Sequence, residues 1–93
     1  MKIKFDSKIE VDFQDVKVFE ILNYSDYHGN SLAYFQISYK ETELVLILQS
    51  ITDDPDFSLN LKNLINSSIR NDIPNLDLRN LLIVKNTFLL TFE

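Results

Sequence analysis

The fold is decided by the stretch LAYFQISYKETELVLILQSI, residues 32–51. Its first part, residues 32–39, alternates apolar and polar side chains, which is the period of a strand with one wet face. The polar residues 40–43 predict a turn, and residues 44–51 are apolar on both parities, as expected of a central strand. In the resulting hairpin we expect three apolar pairs on one face: Tyr39 with Leu44, Ile37 with Leu46, and Phe35 with Leu48.

Residues 1–13 alternate in the same way and predict a second hairpin. A two-residue turn would mix its faces, whereas a three-residue loop at residues 6–8 pairs Phe5 with Ile9 and Ile3 with Val11. Residues 16–24 are rich in β-branched and aromatic side chains and predict a further strand. The strongest turn signal in the chain, YHGN, follows it at residues 27–30.

The sequence TDDPD, residues 52–56, breaks the strand pattern and introduces an amphipathic helix. We expect Asp54, before Pro55, or Ser58 one turn later to cap this helix. The helix is expected to end near Asn71, because Ile73-Pro74 follows. Its apolar face, read from the helical spacing, consists of Phe57, Leu61, Leu64, Ile65, Ser68 and Ile69.

The last segment leaves two alternatives open. Residues 81–84 and 87–92 can form a terminal hairpin around a turn at residues 85–86, or residues 75–82 can form a second short helix before one terminal strand. The hairpin gives the order β-β-β-β-β-α-β-β, which we adopt. The predicted fold class is α+β: a mainly antiparallel β-sheet of about six or seven strands with one amphipathic helix packed across one face. Residues 1–93 are expected to form a single domain.

Composition points to a cytoplasmic protein. The chain has no cysteine, which favours a reducing compartment. Residues 1–6 lack the apolar segment of a signal peptide, and the longest apolar run, residues 44–48, is too short to cross a membrane. We therefore expect no membrane partner.

The net charge of −5 resides in the middle of the chain. Residues 18–61 carry seven acidic side chains and one lysine, while the remaining residues nearly cancel. An acidic surface repels nucleic acid and attracts basic proteins. We expect a basic protein partner and no direct binding of nucleic acid.

Residue types that carry catalysis are scarce. His28 is the only histidine, so no metal-ligand spacing can be built around it. Gly29 is the only glycine, which excludes a nucleophile elbow and a glycine-rich phosphate loop. Asp53, Asp54 and Asp56 fit a helix-capping loop better than a catalytic carboxylate pair. We expect no enzyme activity, no catalytic residue, no bound metal and no cofactor.

A functional surface is expected where two loops meet. If residues 16–24, 32–39 and 44–51 form a meander, the loops at residues 25–31 and 52–57 emerge at the same end of the sheet. Tyrosines among carboxylates are typical of a surface that binds a basic protein, since the rings supply contact area and the charges steer association. The predicted partner-binding residues are Tyr24, Asp26, Tyr27, His28, Asp53, Asp54 and Asp56.

Two functions are compatible with this sequence. The leading hypothesis is a small acidic protein that binds to a basic enzyme and inhibits it stoichiometrically. A nuclease is the first candidate for that enzyme, as for toxin-immunity proteins and phage anti-defence proteins of the anti-CRISPR type. The alternative is a structural or adaptor subunit of a larger phage or bacterial assembly, which self-associates through a sheet edge or an apolar face and can form a homodimer. Salt distinguishes them, because screening slows steered association and leaves an apolar interface intact.

Overall fold

The computed structural model describes residues 1–25, 28–29, 31–38 and 41–91. In these residues seven strands and one α-helix follow one another in the predicted order, so the α+β class with mainly antiparallel strands is confirmed. The elements are β1 (Lys2–Lys4), β2 (Glu10–Asp12), a 3-10 turn (Phe13–Asp15), β3 (Val18–Ser25), β4 (Ser31–Ser38), β5 (Thr42–Ser50), α1 (Phe57–Arg70), β6 (Asn75–Asp77) and β7 (Leu82–Thr91).

The strands form two sheets instead of the expected single one. The small sheet has the order β2-β1-β6, and the large antiparallel sheet has the order β3-β4-β5-β7. The first hairpin is as predicted, with Ile3 opposite Val11 and the N–H of Phe5 donating to the carbonyl oxygen of Ile9 at 2.9 Å. Asp6 closes the three-residue loop, because its Oδ1 accepts two backbone N–H groups at 2.7 Å each.

The central hairpin has the predicted faces, but its predicted register is wrong by two residues. Ile37 lies opposite Leu44 and Phe35 opposite Leu46, while Ala33 takes the place opposite Leu48. A shift of two residues leaves every side chain on its face, and all of these side chains except the half-buried Leu44 are buried. The predicted partner of Leu44, Tyr39, is outside the described residues.

The register shifts because two polar residues of the expected turn, Thr42 and Glu43, join β5 instead. Glu43 lies opposite Ser38, and its Oε1 accepts hydrogen bonds from the Gln36 side-chain amide and from the Ser38 hydroxyl. Because these hydrogen bonds satisfy the polar side chains, β5 can begin at Thr42, before its first apolar residue, Leu44.

The predicted terminal hairpin is wrong. Residues 82–91 form one strand, β7, which pairs antiparallel with β5 along its length and makes β5 central, as predicted. Val84 lies opposite Leu48 and Asn86 opposite Ile47, so Lys85 is the extra residue of a β-bulge. The polar pair at residues 85–86 therefore bends the strand without reversing it.

The alternative helix at residues 75–82 is also wrong. Asn75–Asp77 forms β6, which runs parallel to β1 with Leu76 beside Ile3. A turn follows in which the N–H groups of Leu81 and Leu82 donate to the carbonyl oxygen of Leu78 at 3.0 and 3.2 Å. Leu78 and Leu82 are buried and Leu81 is exposed, so the leucine spacing that suggested a helix belongs to a turn anchored in the core at both ends.

Helix α1 has nearly the predicted bounds and face. Leu64 is half-buried, and Ile69 departs from the prediction because it is 40% exposed and lines an open cleft at the end of the helix. Asp72 then adopts a left-handed conformation (φ 53°), and the N–H of Ile73 donates to the carbonyl oxygen of Ser68 at 3.0 Å, which ends the helix. The buried residues of α1 are Phe57, Leu61, Ile65 and Ser68.

The main core lies between the large sheet, α1 and the small sheet. The ring of Phe35 lies 5.2 Å from that of Phe5, centroid to centroid, which joins the large sheet to the small one, and 6.2 Å from that of Phe19 within the large sheet. The helix contacts β3 and β4 on this inner face.

The opposite side of the large sheet, which we call the outer face, is defined by four rows of paired residues. Leu32, Val45 and Ile47 form a second buried cluster there, with Tyr34 packed against it. The rows, each running from β3 to β7, are Tyr24, Leu32, Gln49 and Ile83; Leu22, Tyr34, Ile47 and Asn86; Glu20, Gln36, Val45 and Phe88; and Val18, Ser38, Glu43 and Leu90.

Candidate functional site

The strand register brings the β3–β4 connection and the loop after β5 to one end of the large sheet. Leu32, near the start of β4, lies opposite both Tyr24 of β3 and Gln49 of β5. The predicted meander and its common end are therefore confirmed. We call this region the acidic end; its described residues are Tyr24, Ser25, His28, Gly29 and residues 51–56. Asp26 and Tyr27, which were predicted for the same surface, lie outside the described residues.

The described side chains of the predicted site differ in how they are presented. Asp53, Asp56 and His28 are exposed. Gly29, beside His28, has φ 77°, the left-handed conformation that its predicted turn requires. Tyr24 is 45% exposed and belongs to the outer face.

A shallow hollow of about 220 Å³ connects the outer face with the aspartate loop. Ser31, Gln49, Asp53 and Asp54 are among its lining residues. Gln49 lies in the same row of the outer face as Tyr24, separated from it by Leu32. The acidic end is thus continuous with the outer face.

Asp54 has a structural task at the start of α1. Its Oδ1 accepts the N–H of Asp56 at 3.0 Å, its Oδ2 accepts the side-chain amide of Asn60 at 3.0 Å, and its carbonyl oxygen accepts the N–H of Phe57 at 3.3 Å. The N-cap position itself is occupied by Asp56, whose side chain makes no cap hydrogen bond, and Ser58 lies inside the helix. The capping prediction is corrected accordingly: Asp54 stabilises the helix start from two residues before the cap.

An apolar cleft of about 170 Å³, which the sequence did not reveal, adjoins the aspartate loop. Ile51 and Leu81 form its mouth and are 52% and 49% exposed, while Leu61 and Leu64 of α1 lie deeper. The N–H of Ile51 donates to the carbonyl oxygen of Leu81 at 3.1 Å, which holds the two loops together. Asp54 also lines this cleft, so a carboxylate stands beside apolar walls.

A larger cleft of about 420 Å³ lies between the end of α1 and the 3-10 turn. Its walls are mainly apolar, and its charged residues, Lys17 and Asp72, are exposed. The buried hydroxyl that lines it, on Ser68, donates to the carbonyl oxygen of Leu64 at 2.8 Å. This hydroxyl therefore serves the helix.

The clearest electrostatic perturbation lies in the turn after β6. Arg79 donates hydrogen bonds to Asp77 through its side chain and its backbone N–H, and these lower the pKa of Asp77 from 3.8 to about 2. The same pair raises the pKa of Arg79. It forms a salt bridge of 2.6 Å at the surface and stabilises the turn locally. Among the described residues, no group of three or more histidine, aspartate or glutamate side chains is placed to hold a metal ion.

Comparison with protein-family models, curated proteins and solved structures finds no significant match to this chain. In the part of the chain that the structure describes, no helix is long and apolar enough to cross a membrane.

Proposed function

We propose that this chain is a protein-binding domain that inhibits a basic enzyme stoichiometrically by docking its acidic end on the enzyme. A nuclease is the first candidate for that enzyme, in the manner of a toxin-immunity protein or a phage anti-defence protein of the anti-CRISPR type. The observation that supports this proposal is the placement of exposed aspartates beside an apolar cleft at one end of the large sheet. This pairing of charge with an apolar recess is typical of surfaces that steer a partner and then hold it.

The exposed carboxylates supply the steering. Asp53 and Asp56 are on the surface of the loop, and Asp56 makes no side-chain cap hydrogen bond. Their charge is part of the excess of acidic side chains in residues 18–61. A field of one sign raises the encounter rate with an oppositely charged protein by about 10-fold to 1,000-fold at low salt.

The cleft supplies the docking contact. An arginine or lysine of the partner can pack its methylene stem between Ile51 and Leu81 while its charged head meets the nearby Asp54 carboxylate. Binding in this mode needs no chemistry from the inhibitor. The enzyme is blocked because its basic surface is covered.

The test uses the native protein as bait to isolate its partner, followed by association and dissociation rates for single variants. Asp53→Lys should slow association roughly tenfold at low salt, and the loss should shrink as the salt concentration rises. Glu41→Lys is the matched control, because it makes the same charge change in the turn between β4 and β5, at the opposite end of the large sheet. Ile51→Ser should instead raise the dissociation rate, because it removes an apolar contact of the cleft.

Equal effects of Asp53→Lys and Glu41→Lys would show that only the overall charge matters, and the acidic end would then be ordinary surface. An isolated partner whose activity the native protein leaves unchanged would contradict inhibition.

A further inference from the structure

The outer face of the large sheet presents large apolar side chains to solvent. An antiparallel sheet with one wetted face alternates apolar with polar residues, so that its wetted face is polar. The outer face departs from this rule, because its buried cluster of Leu32, Val45 and Ile47 is surrounded by exposed apolar side chains. Six side chains of this face are each between 45% and 62% exposed: Val18, Leu22, Tyr24, Ile83, Phe88 and Leu90.

The area of this face matches what a stable dimer needs. Six half-exposed large side chains contribute on the order of 100 Å² each, or roughly 600 Å² of apolar surface. The largest apolar patch of an ordinary monomer covers about 300–600 Å². The polar side chains within the four rows bring the face to about 800 Å², which is the area that each partner contributes to a standard interface.

The charges of the outer face are placed where a face-to-face contact tolerates them. Glu20 lies on the edge strand β3, where it stays at the rim and in water. Glu43 accepts hydrogen bonds from the Gln36 side-chain amide and the Ser38 hydroxyl, so its carboxylate keeps polar partners within the face. In the two middle rows of the face, the residues on β4 and β5 are Tyr34, Gln36, Val45 and Ile47, which are uncharged, and Glu43 lies in the row at one end. An uncharged centre with a polar rim is the usual anatomy of a protein interface.

We propose that two copies of this chain pack outer face against outer face, as the two sheets of a β-sandwich do. Sheets that pack in this way lie about 10 Å apart with their strands within about 30° of each other. Because one surface serves both copies, the contact is isologous and closes as a dimer.

The charge at the two ends of the sheet selects the orientation of the dimer. A two-fold axis along the strands would bring both acidic ends together, with Asp53, Asp54 and Asp56 of each copy side by side. An axis across the strands places each acidic end beside the opposite end of the other copy, where the described Lys17, Glu41 and Glu43 leave one net negative charge instead of three. The antiparallel arrangement therefore has the lower repulsion.

This dimer goes beyond the proposed inhibition and does not depend on it. The apolar cleft that would dock the enzyme is lined by α1, on the inner side of the sheet, and remains open in the dimer. Tyr24, in contrast, becomes part of the contact between copies.

The test measures the mass of the native protein in solution by sedimentation or light scattering, at protein concentrations from about 1 µM to 1 mM. Leu22→Lys and Phe88→Lys, on the two edge strands of the outer face, should each weaken the dimer at least tenfold, since each replaces an apolar side chain of the contact with a charged one. Leu59→Lys is the matched control: it makes the same change at a residue of similar exposure, 56%, on α1. The native dimer should persist at high salt.

A second measurement needs no variant. In a mixture of labelled and unlabelled native protein, nuclear Overhauser contacts between copies should arise from outer-face side chains such as Leu22 and Val45. A native protein that is monomeric at about 1 mM would overturn the proposal. Leu89 lies opposite Leu44 on the inner face of β7. If Leu89→Lys weakens the dimer and Leu22→Lys does not, the copies pair edge to edge through β7, and the proposal is overturned.

Discussion

Replacing Asp54 with alanine should destabilise the protein measurably, although Asp54 is not part of the core. The substitution removes two hydrogen bonds of 3.0 Å, one to the N–H of Asp56 and one to the side-chain amide of Asn60. Each such bond contributes about 0.5–1.5 kcal/mol net, and an N-terminal cap contributes about 0.5–2 kcal/mol. Because Asp54 is only half-buried, we expect a loss of about 1.5 kcal/mol, which for a domain of this size lowers Tm by roughly 6–12 °C.

The measurement is urea and thermal unfolding followed by circular dichroism, with Asp53→Ala as the matched control. Asp53 is the exposed neighbour in the same loop, so its removal should change the free energy of unfolding by less than about 0.5 kcal/mol. A double-mutant cycle between Asp54→Ala and Asn60→Ala should give a coupling energy of about 0.5–1 kcal/mol.

Equal stability of the two alanine variants would refute this account of how α1 begins. The outcome also decides how binding experiments on the acidic end are read. Charge reversal at Asp54 would combine lost binding with a loosened helix, whereas Asp53→Lys isolates the charge.

Two further predictions concern the core and the surface ion pair. Leu46→Ala, at a fully buried position of the inner face, should lower the free energy of unfolding in urea by about 2–5 kcal/mol. Leu59→Ala, on the exposed side of α1, should change it by less than about 0.5 kcal/mol. Similar values for the two variants would mean that the inner face is misassigned. The Asp77 carboxyl should titrate by NMR near its lowered pKa of about 2, and Arg79→Ala should return it toward 3.8. Since the folded pKa is depressed, the pair's contribution to stability is present above about pH 4 and is lost as the pH falls toward 2.

Alternation along the chain predicted which side chains are buried, but it could not predict register. Phe35, Ile37, Leu46 and Leu48 were assigned to one face and are all buried. A slip of two residues preserves that pattern, and the bonds of Glu43 with Gln36 and Ser38 favour the observed register. Those bonds depend on geometry across the hairpin and not on periodicity.

Non-local pairing explains the remaining errors of the fold prediction. The parallel contact of β6 with β1 joins Asn75–Asp77 to Lys2–Lys4, and the three residues of β6 are too few to carry a periodic signal. The bulge at Lys85 has the polar composition of a turn, and only its pairing with β5 distinguishes the two.

The candidate site was predictable in part. In an antiparallel meander, successive connections lie at alternate ends of the sheet, so the two loops were expected at one end. The apolar pattern of the three strands was enough to predict this. The apolar cleft was not predictable, since it joins Ile51 to Leu81 across a hydrogen bond between distant segments. The local reading of Asp54 as a capping residue was close, and only its exact acceptor bonds required the structure.

The two proposals together predict the stoichiometry of the inhibited complex. In a face-to-face dimer with antiparallel sheets, the acidic ends lie at opposite ends of a molecule whose single copy measures 35 × 34 × 22 Å. Each acidic end can then bind its own enzyme molecule, so light scattering should give a complex of two inhibitors and two enzymes. Leu22→Lys should convert it to one inhibitor and one enzyme without changing the dissociation constant of each site, because the cleft lies on the inner side of the sheet. If Leu22→Lys abolishes enzyme binding instead, the outer face itself holds the enzyme, and the apolar side chains there serve the partner and not a second copy.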